Sequence, residues 1–210
     1  MSTTLPRRSQ QQRTEHTRSQ LLQAAEQIFA RDGFAAAKLE DISARAGYTR
    51  GAFYANFSSK EDLFIAMLEG EVLKRVAALR DAVFAEHSPQ EKLMALRRYV
   101  ICAGYDRTWA VLFTEFRLFT LRRRELQARL RSMHRRIFSV MTAVMGEVFS
   151  ATGTKLPTST LAFAISMGGF ANSLELDRRL THSIKESEIS TILGLLFDAA
   201  TAQSNSLGPV

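Results

Sequence analysis

The chain has 210 residues, 46% of them hydrophobic, which suffices for the core of one ordinary domain or of a small domain joined to a larger one. No apolar run reaches the roughly 18 to 20 residues that cross a bilayer, no apolar stretch follows the first arginines as in a secretory signal, and the lone Cys102 excludes an internal disulfide and fits a reducing cytoplasm. The net charge of +7 invites a nucleic-acid partner, but seven arginines against one glutamate lie between Arg122 and Arg136, so charge alone does not place that partner.

Residues 1–14 are polar and predict a mobile N-terminal arm. Arg7, Arg8 and Arg13 in it read either as a solvated tail or as side chains that reach an adjacent minor groove. A first helix follows from about Thr17 to Asp32, with Leu21, Ala25, Ile28 and Phe29 on one face and Gly33 as its stop. A second, short helix is marked by Leu39, Ile42 and Ala46 at three- and four-residue spacing. Gly47 ends it, and Thr49 is placed to cap a third.

The third helix has only Phe53 and Phe57 to bury, one turn apart. It leaves Arg50, Gly51, Ala52, Tyr54, Ala55 and Asn56 largely outside. Two helices around a short turn containing Gly form a helix-turn-helix, whose second helix presents its N-terminal residues to base edges in a major groove. Gly51 and Ala52 would let that helix approach closely, and Arg50 suits guanine or a phosphate.

The run from Gly33-Phe34 through Leu39 to Leu63, and above all Gly51-Ala52-Phe53-Tyr54 with Phe57, Ser59, Lys60 and Glu61, resembles the DNA-binding domain of the TetR family of bacterial transcriptional regulators. The resemblance covers about the first third of the chain. It implies an all-α homodimer that binds double-stranded operator DNA and releases it when a small molecule enters the C-terminal domain. It also implies phosphate contacts by Tyr54 and Lys60 and base or backbone contacts by Thr49, Arg50 and Gly51, with Asn56 as a further donor to phosphate. Asn56 stands where the family usually has His, and Ala37 where a capping Thr is frequent. Read singly, Tyr54 is as well a packing residue and Lys60 a solvated side chain.

Ser58 or Ser59 caps a fourth helix, with Ser58 and Glu61 spaced as a capping box, and its apolar stripe runs from Leu63 to about Glu86. Such a helix is long enough to join a DNA-binding head to a second domain. Ser88, Pro89 and Glu91 open a fifth helix, to about Ala103. A sixth spans Asp106 to Thr120, a seventh Arg123 to Phe149, an eighth Thr158 to Arg178 and a ninth Ser187 to Ala202, with no alternating strand pattern. The fold class is therefore all-α with about nine helices. The expected divisions are the arm at 1–14, a three-helix DNA-binding domain at 15–62, a helical effector-binding and dimerisation domain at 63–203 and a disordered tail at 204–210.

In helix eight one apolar face carries Leu161, Ile165, Gly168 and Leu176 and the other Phe163, Met167, Phe170 and Leu174. Paired with helix nine and two symmetry mates, it predicts a four-helix dimer interface through Ala162, Ile165, Gly169, Ile192 and Leu196. Tyr105, Trp109, Leu112, Phe113, Phe116 and Phe119 on helix six and Phe138, Met141, Met145 and Phe149 on helix seven are ordinary core by spacing. As a set they also suit a pocket for a hydrophobic or aromatic effector, lined by Trp109, Phe113, Phe116, Met141 and Phe170. Of the arginines on helix seven, Arg122, Arg129 and Arg136 flank the apolar seam and pair with carboxylates or rest on apolar surface. Arg124, Arg131 and Arg135 form a solvated face or a second DNA contact.

An enzyme reading has little support. His16, His87, His134 and His182 have no partners at metal-ligand spacing, Cys102 has no visible base, and no Gly-rich phosphate loop occurs, so no cofactor or metal is expected. The expectation is a cytoplasmic, homodimeric, ligand-responsive transcriptional repressor. Its alternatives are a ligand-independent or activating regulator, and a helical enzyme or carrier without DNA binding.

Overall fold

A computed structural model describes residues 10–102 and 107–202. Among them the chain forms helices only, in the order α1 Gln10–Ala36, α2 Leu39–Arg45, α3 Arg50–Tyr54, α4 Lys60–Phe84, α5 Pro89–Cys102, α6 Arg107–Leu121, α7 Arg124–Thr152, α8 Thr160–Thr181 and α9 Glu186–Ala202. Arg7, Arg8, Tyr105 and the tail at 204–210 lie outside the described residues. Residues 10–14, expected in the arm, are instead the first turns of α1. They lack apolar periodicity, but bonds one turn apart support them: Gln11 donates to Glu15, and the Thr14 and Thr17 hydroxyls donate to the carbonyls of Gln10 and Arg13. Gly33 breaks α1 as expected, at φ 77° and ψ 167°.

Side-chain caps set the starts of α3, α4, α5 and α8. Thr49 accepts from the Ala52 N–H, Ser159 from Ala162, and Ser88 and Glu91 bond reciprocally at the head of α5. The cap of α4 falls one residue later than the expected Ser58–Glu61 box. Ser59 accepts from the Asp62 N–H, and Asp62 takes both the N–H and the hydroxyl of Ser58. The N-cap of α2 is Lys38, which makes no side-chain bond, while Ala37, read as the place of a missing capping Thr, is buried in the core.

Two hydrophobic cores share two through-going helices. The first joins α1, α2 and α3 to the start of α4, to α6 and to the first half of α7. It centres on Phe29, Phe34, Phe64 and Phe116, whose rings meet edge-on or stacked at 4.5 to 5.7 Å. The second joins the end of α4 to α5, the rest of α7, α8 and α9 around Leu96, Val148, Phe163, Leu193 and Phe197. α4 and α7 run parallel through both. Arg129 bonds Asp62 and Arg136 bonds Glu69, so two arginines seven residues apart meet two carboxylates seven residues apart. This resolves Arg129 and Arg136 of the flanking stripe into ion pairs that hold α7 in register on α4.

Candidate functional site

The α2–α3 pair is built by its turn. After α2 the Gly47 N–H donates to the Ala44 carbonyl and the Tyr48 N–H to Ser43, a closure that needs the left-handed backbone of Gly47 at φ 75°. Thr49 then starts α3, while Phe53 and Phe57 sink into the first core with 0% and 1% of their surface exposed. Arg18 of α1 lies over the Phe57 ring at 4.2 Å and donates to the Asn56 carbonyl at 3.1 Å, which ties the far end of α3 to α1.

What α3 turns outward is Arg50, Gly51, Tyr54 and Ala55. Arg50 reaches Glu40 at 3.0 Å and the Tyr54 hydroxyl at 3.3 Å. All three side chains are exposed, and solvent screens such surface pairs, so the guanidinium is readily exchanged onto another anion. A Cβ on Gly51 would meet only Thr49 Oγ1, at 3.7 Å. Nothing inside the chain requires a glycine there; its bare backbone leaves room for a body outside. Thr49 itself is used as the cap.

Two expected contact residues are turned elsewhere. The Asn56 amide donates back to the Ala52 carbonyl at 2.8 Å, one helical turn earlier, and its Oδ1 is buried without a partner. Lys60 points into the junction of α1 and α4. Its ammonium donates to the carbonyls of Phe34, Ala35 and Ala37 at 2.8, 3.0 and 3.0 Å and lies over the Phe34 ring. All three N–H donors are thus engaged, and burial pulls its pKa below the ordinary lysine value against the nearby Glu61 and Glu115. Lys60 satisfies carbonyls left free at the end of α1, a role that sequence spacing does not reveal.

Beside α3 an open groove of about 490 Å³ lies between Gln10, Arg13, Thr14 and Thr17 of α1 and Tyr48, Ala52, Ala55 and Asn56. Arg13, expected in the arm, lines it. The other groove residues of α1 were not anticipated; their signal was the polar spacing of positions 10, 14 and 17 on one helix face.

The five residues expected to line an effector pocket are not brought together. Trp109 and Phe116 are buried in the first core, Phe113 packs against it, Met141 packs against the second, and Phe170 is exposed. α6 turns its rings toward the head and α8 turns Phe170 outward, which the even spread of aromatics along both helices left open. A second groove, about 360 Å³, lies between Arg97 and Ile101 of α5 and Ser190, Thr191, Gly194 and Leu195 of α9, and includes none of the five. The expected interface residues lie on an apolar outer face of α8 and α9, where Ile165 and Leu196 are exposed beside Leu161, Phe170 and Leu195. Gly169 is exposed there, and Ala162 and Ile192 are half-buried. Among the described residues no three His, Cys, Asp or Glu side chains cluster as metal ligands, and no helix is long and apolar enough to cross a membrane.

Residues 21–67 match the family model described as "Bacterial regulatory proteins, tetR family". The chain is 35% identical over 81 residues to the transcriptional activator FasR of Mycolicibacterium smegmatis, covering 39% of this chain and 37% of that one. It is 40% identical over 62 residues to the transcriptional regulator TtgR of Pseudomonas putida, 30% of each, and 35% identical over 79 residues to the repressor KstR2 of Mycobacterium tuberculosis, 38% and 40%. The matched segment thus spans two fifths or less of these relatives. A putative TetR-family regulator from Rhodococcus sp. superposes with TM-score 0.70 at 19% identity over 89% of this chain and 99% of that one. FadR of Bacillus subtilis, solved with stearoyl-CoA, superposes with TM-score 0.64 at 16% identity over 85% and 96%. At these identities the likeness is one of fold.

Proposed function

We propose that this chain, a member of the TetR family of bacterial regulatory proteins, is a repressor that holds a palindromic operator as a cytoplasmic homodimer and lets go when a small hydrophobic molecule binds its helical body. The observation that carries the DNA-binding part is the outward face of α3. Arg50 and Tyr54 are exposed there with Gly51 bare between them, on a helix whose inner face is fixed by Phe53 and Phe57. This face enters a major groove, with Arg50 released from Glu40 onto a base or phosphate and the Tyr54 hydroxyl on the backbone. The α1 groove with Arg13 takes the adjacent phosphates. Lys60 and Asn56 take part by holding α3 and α4 in place.

The apolar face of α8 and α9 supports dimerisation. A four-helix interface across a two-fold axis covers Ile165, Phe170, Leu195 and Leu196 and sets the two heads about 34 to 36 Å apart, one turn of DNA. For the effector, the half-buried Phe113, Phe138 and Met141 at the meeting of the two cores support a hydrophobic ligand better than Trp109 or Phe116, which are already filled-in core. The binding of stearoyl-CoA by the Bacillus subtilis FadR agrees with that class. The regulators with which the chain shares its N-terminal segment favour this reading over an enzyme.

The test is fluorescence anisotropy of the purified chain on DNA flanking its own gene and on fragments selected from the genome, across a salt series. Tight binding to a palindrome with weak binding to unrelated DNA is expected. Equal, weak binding to every selected fragment would refute the reading.

A further inference from the structure

Between α1 and α2 the chain makes one tight turn, residues 33–37, and charged side chains from two other helices hold it from both ends. Gly33 reverses the backbone, so the N–H groups of Phe34 and Ala35 begin a new turn with no carbonyl behind them. They donate to Oε2 and Oε1 of Glu115 on α6, at 2.9 and 3.0 Å. Lys60 of α4 takes the carbonyls on the opposite side. A Cβ on Gly33 would lie 3.1 Å from the Glu115 carboxylate, which therefore sits directly against a bare α-carbon.

The remaining contact between α1 and α6 is apolar, Phe34 against Phe116 and Phe119 at 5.2 and 4.8 Å. Ring contacts fill space but tolerate small rotations, because dispersion is only weakly directional. A carboxylate held by two successive N–H groups fixes both the distance and the rotation of the group that it grips, and charge-assisted bonds of this kind are the stronger ones. Glu115 bonds the 33–37 turn and no residue of α3, and the nearby Lys60 is itself turned onto the carbonyls of that turn, so the effect of Glu115 on the head is exerted through the turn.

We infer that Glu115 is a positioning residue for DNA binding: its carboxylate sets the angle at which the α1–α3 head hangs from α6. The inference rests on the DNA-binding reading above. It follows that a shift of α6 carries the end of α1 with it, so that α6 and the head move together.

The test uses the full chain with Glu115→Gln, an isosteric change that leaves one acceptor oxygen for two N–H donors, and Glu125→Gln on the exposed first turn of α7 as the charge-matched control. Three quantities are read: amide hydrogen exchange at Phe34 and Ala35, the distance between spin labels, and operator affinity across a salt series. The labels sit at Gln23→Cys on α1 and Glu147→Cys on α7, in a Cys102→Ser background, with labelled chain diluted into unlabelled. Exchange at the two amides is expected to rise about tenfold in Glu115→Gln. The label distance should broaden or move, and operator affinity should fall about fivefold with an unchanged salt slope, because no phosphate contact is lost. Faster exchange with an unmoved label distance would make Glu115 a local cap and overturn the inference, as would unchanged exchange, or a moved head with undiminished affinity. A wild-type chain that binds no DNA selectively would overturn the DNA-binding reading itself. The first two measurements need no DNA and tell that failure apart from a failure of the Glu115 contact.

Discussion

Replacing Lys60 by Met separates a phosphate contact from a structural one. The two roles move different observables. The ammonium donates to three carbonyls at 2.8 to 3.0 Å at the junction of α1 and α4. Bonds from a charged donor are worth about 1.5 to 3 kcal/mol each when a partner is buried. Here one ammonium serves three acceptors at a partly exposed site, and water replaces some of what is lost, so we take about 2 to 3 kcal/mol for the whole. For a chain of this size that corresponds to a fall in Tm of about 5 to 10 °C. Met keeps an unbranched stem and removes the ammonium both from the carbonyls and from over the Phe34 ring, so the loss isolates the ammonium. The assay pairs thermal unfolding followed by circular dichroism with operator titrations between low and moderate salt. Each phosphate contact contributes about 0.9 to the slope of log K against log salt. With the ammonium on carbonyls, the slope is expected to stay the same while Tm falls. A slope reduced by about 1 with an unchanged Tm would refute this argument and return Lys60 to the phosphate backbone.

Gly33→Ala should destabilise the chain by about 1 to 3 kcal/mol, from a left-handed φ that costs an L residue about 1 to 2 kcal/mol and from crowding of the Glu115 carboxylate; a variant as stable as the parent in urea titration would contradict it. Ile165→Asp with Leu196→Asp should give a monomer by sedimentation and abolish tight operator binding while leaving the helical content unchanged, because both side chains are exposed in the single chain; a persisting dimer would move the interface elsewhere. Burial pushes the Asp62 carboxyl up, but the bonds from Ser58 and Arg129 outweigh it and leave the pKa below the ordinary Asp value. Its contribution is therefore full above the unfolded pKa of about 3.9 and is lost as pH falls through the lower folded value. The Tm deficit of Asp62→Asn at neutral pH should shrink toward about pH 3, and a deficit independent of pH would dismiss the Arg129–Asp62 pair as a source of stability.

Helix existence was legible because the helices carry their own apolar spacing and some carry a readable cap: Thr49 and Ser88 act where the spacing placed them, whereas Ser159 at the head of α8 had not been singled out. The α3 face was legible for the same local reason, since two phenylalanines one turn apart leave only one way for Arg50, Gly51 and Tyr54 to face. Lys60 and Asn56 were not. Lys60 matches the resembled pattern and Asn56 departs from it, but the orientation of each is decided by carbonyls, of Phe34, Ala35 and Ala37 in one case and of Ala52 in the other, which no pattern of side chains announces. The aromatic set on α6 failed as a pocket because Phe34 and Phe64, remote in sequence, arrive to fill the space beside Phe116. Long-range partners of that kind are what periodicity omits. The flanking arginines were half legible: their seven-residue spacing was visible, and the matching spacing of Asp62 and Glu69 became meaningful only once α4 and α7 were found parallel.

The same packing bears on how a signal can cross the molecule. The expected boundary at residue 62 falls inside the first core, where Phe29 and Phe34 of the head meet Phe64 of α4 and Phe116 of α6. A head joined by buried rings, by Glu115 and by Lys60 does not swivel at that boundary without opening a core, and truncating one such phenylalanine alone costs about 3 to 5 kcal/mol. A cheaper displacement lies between the two cores, where Phe113, Phe138 and Met141 are only half-buried and α4 and α7 are the helices that pass through. The ion pairs of Arg129 with Asp62 and of Arg136 with Glu69 tie those two helices together on the head side of that joint. The head, α6 and the first halves of α4 and α7 therefore form one body, and the second core with α8 and α9 forms the other. On the proposed function, a ligand that wedged the joint would change the angle between the body that carries α3 and the body that carries α8 and α9, and in a symmetric dimer that angle would fix the spacing of the two α3 helices.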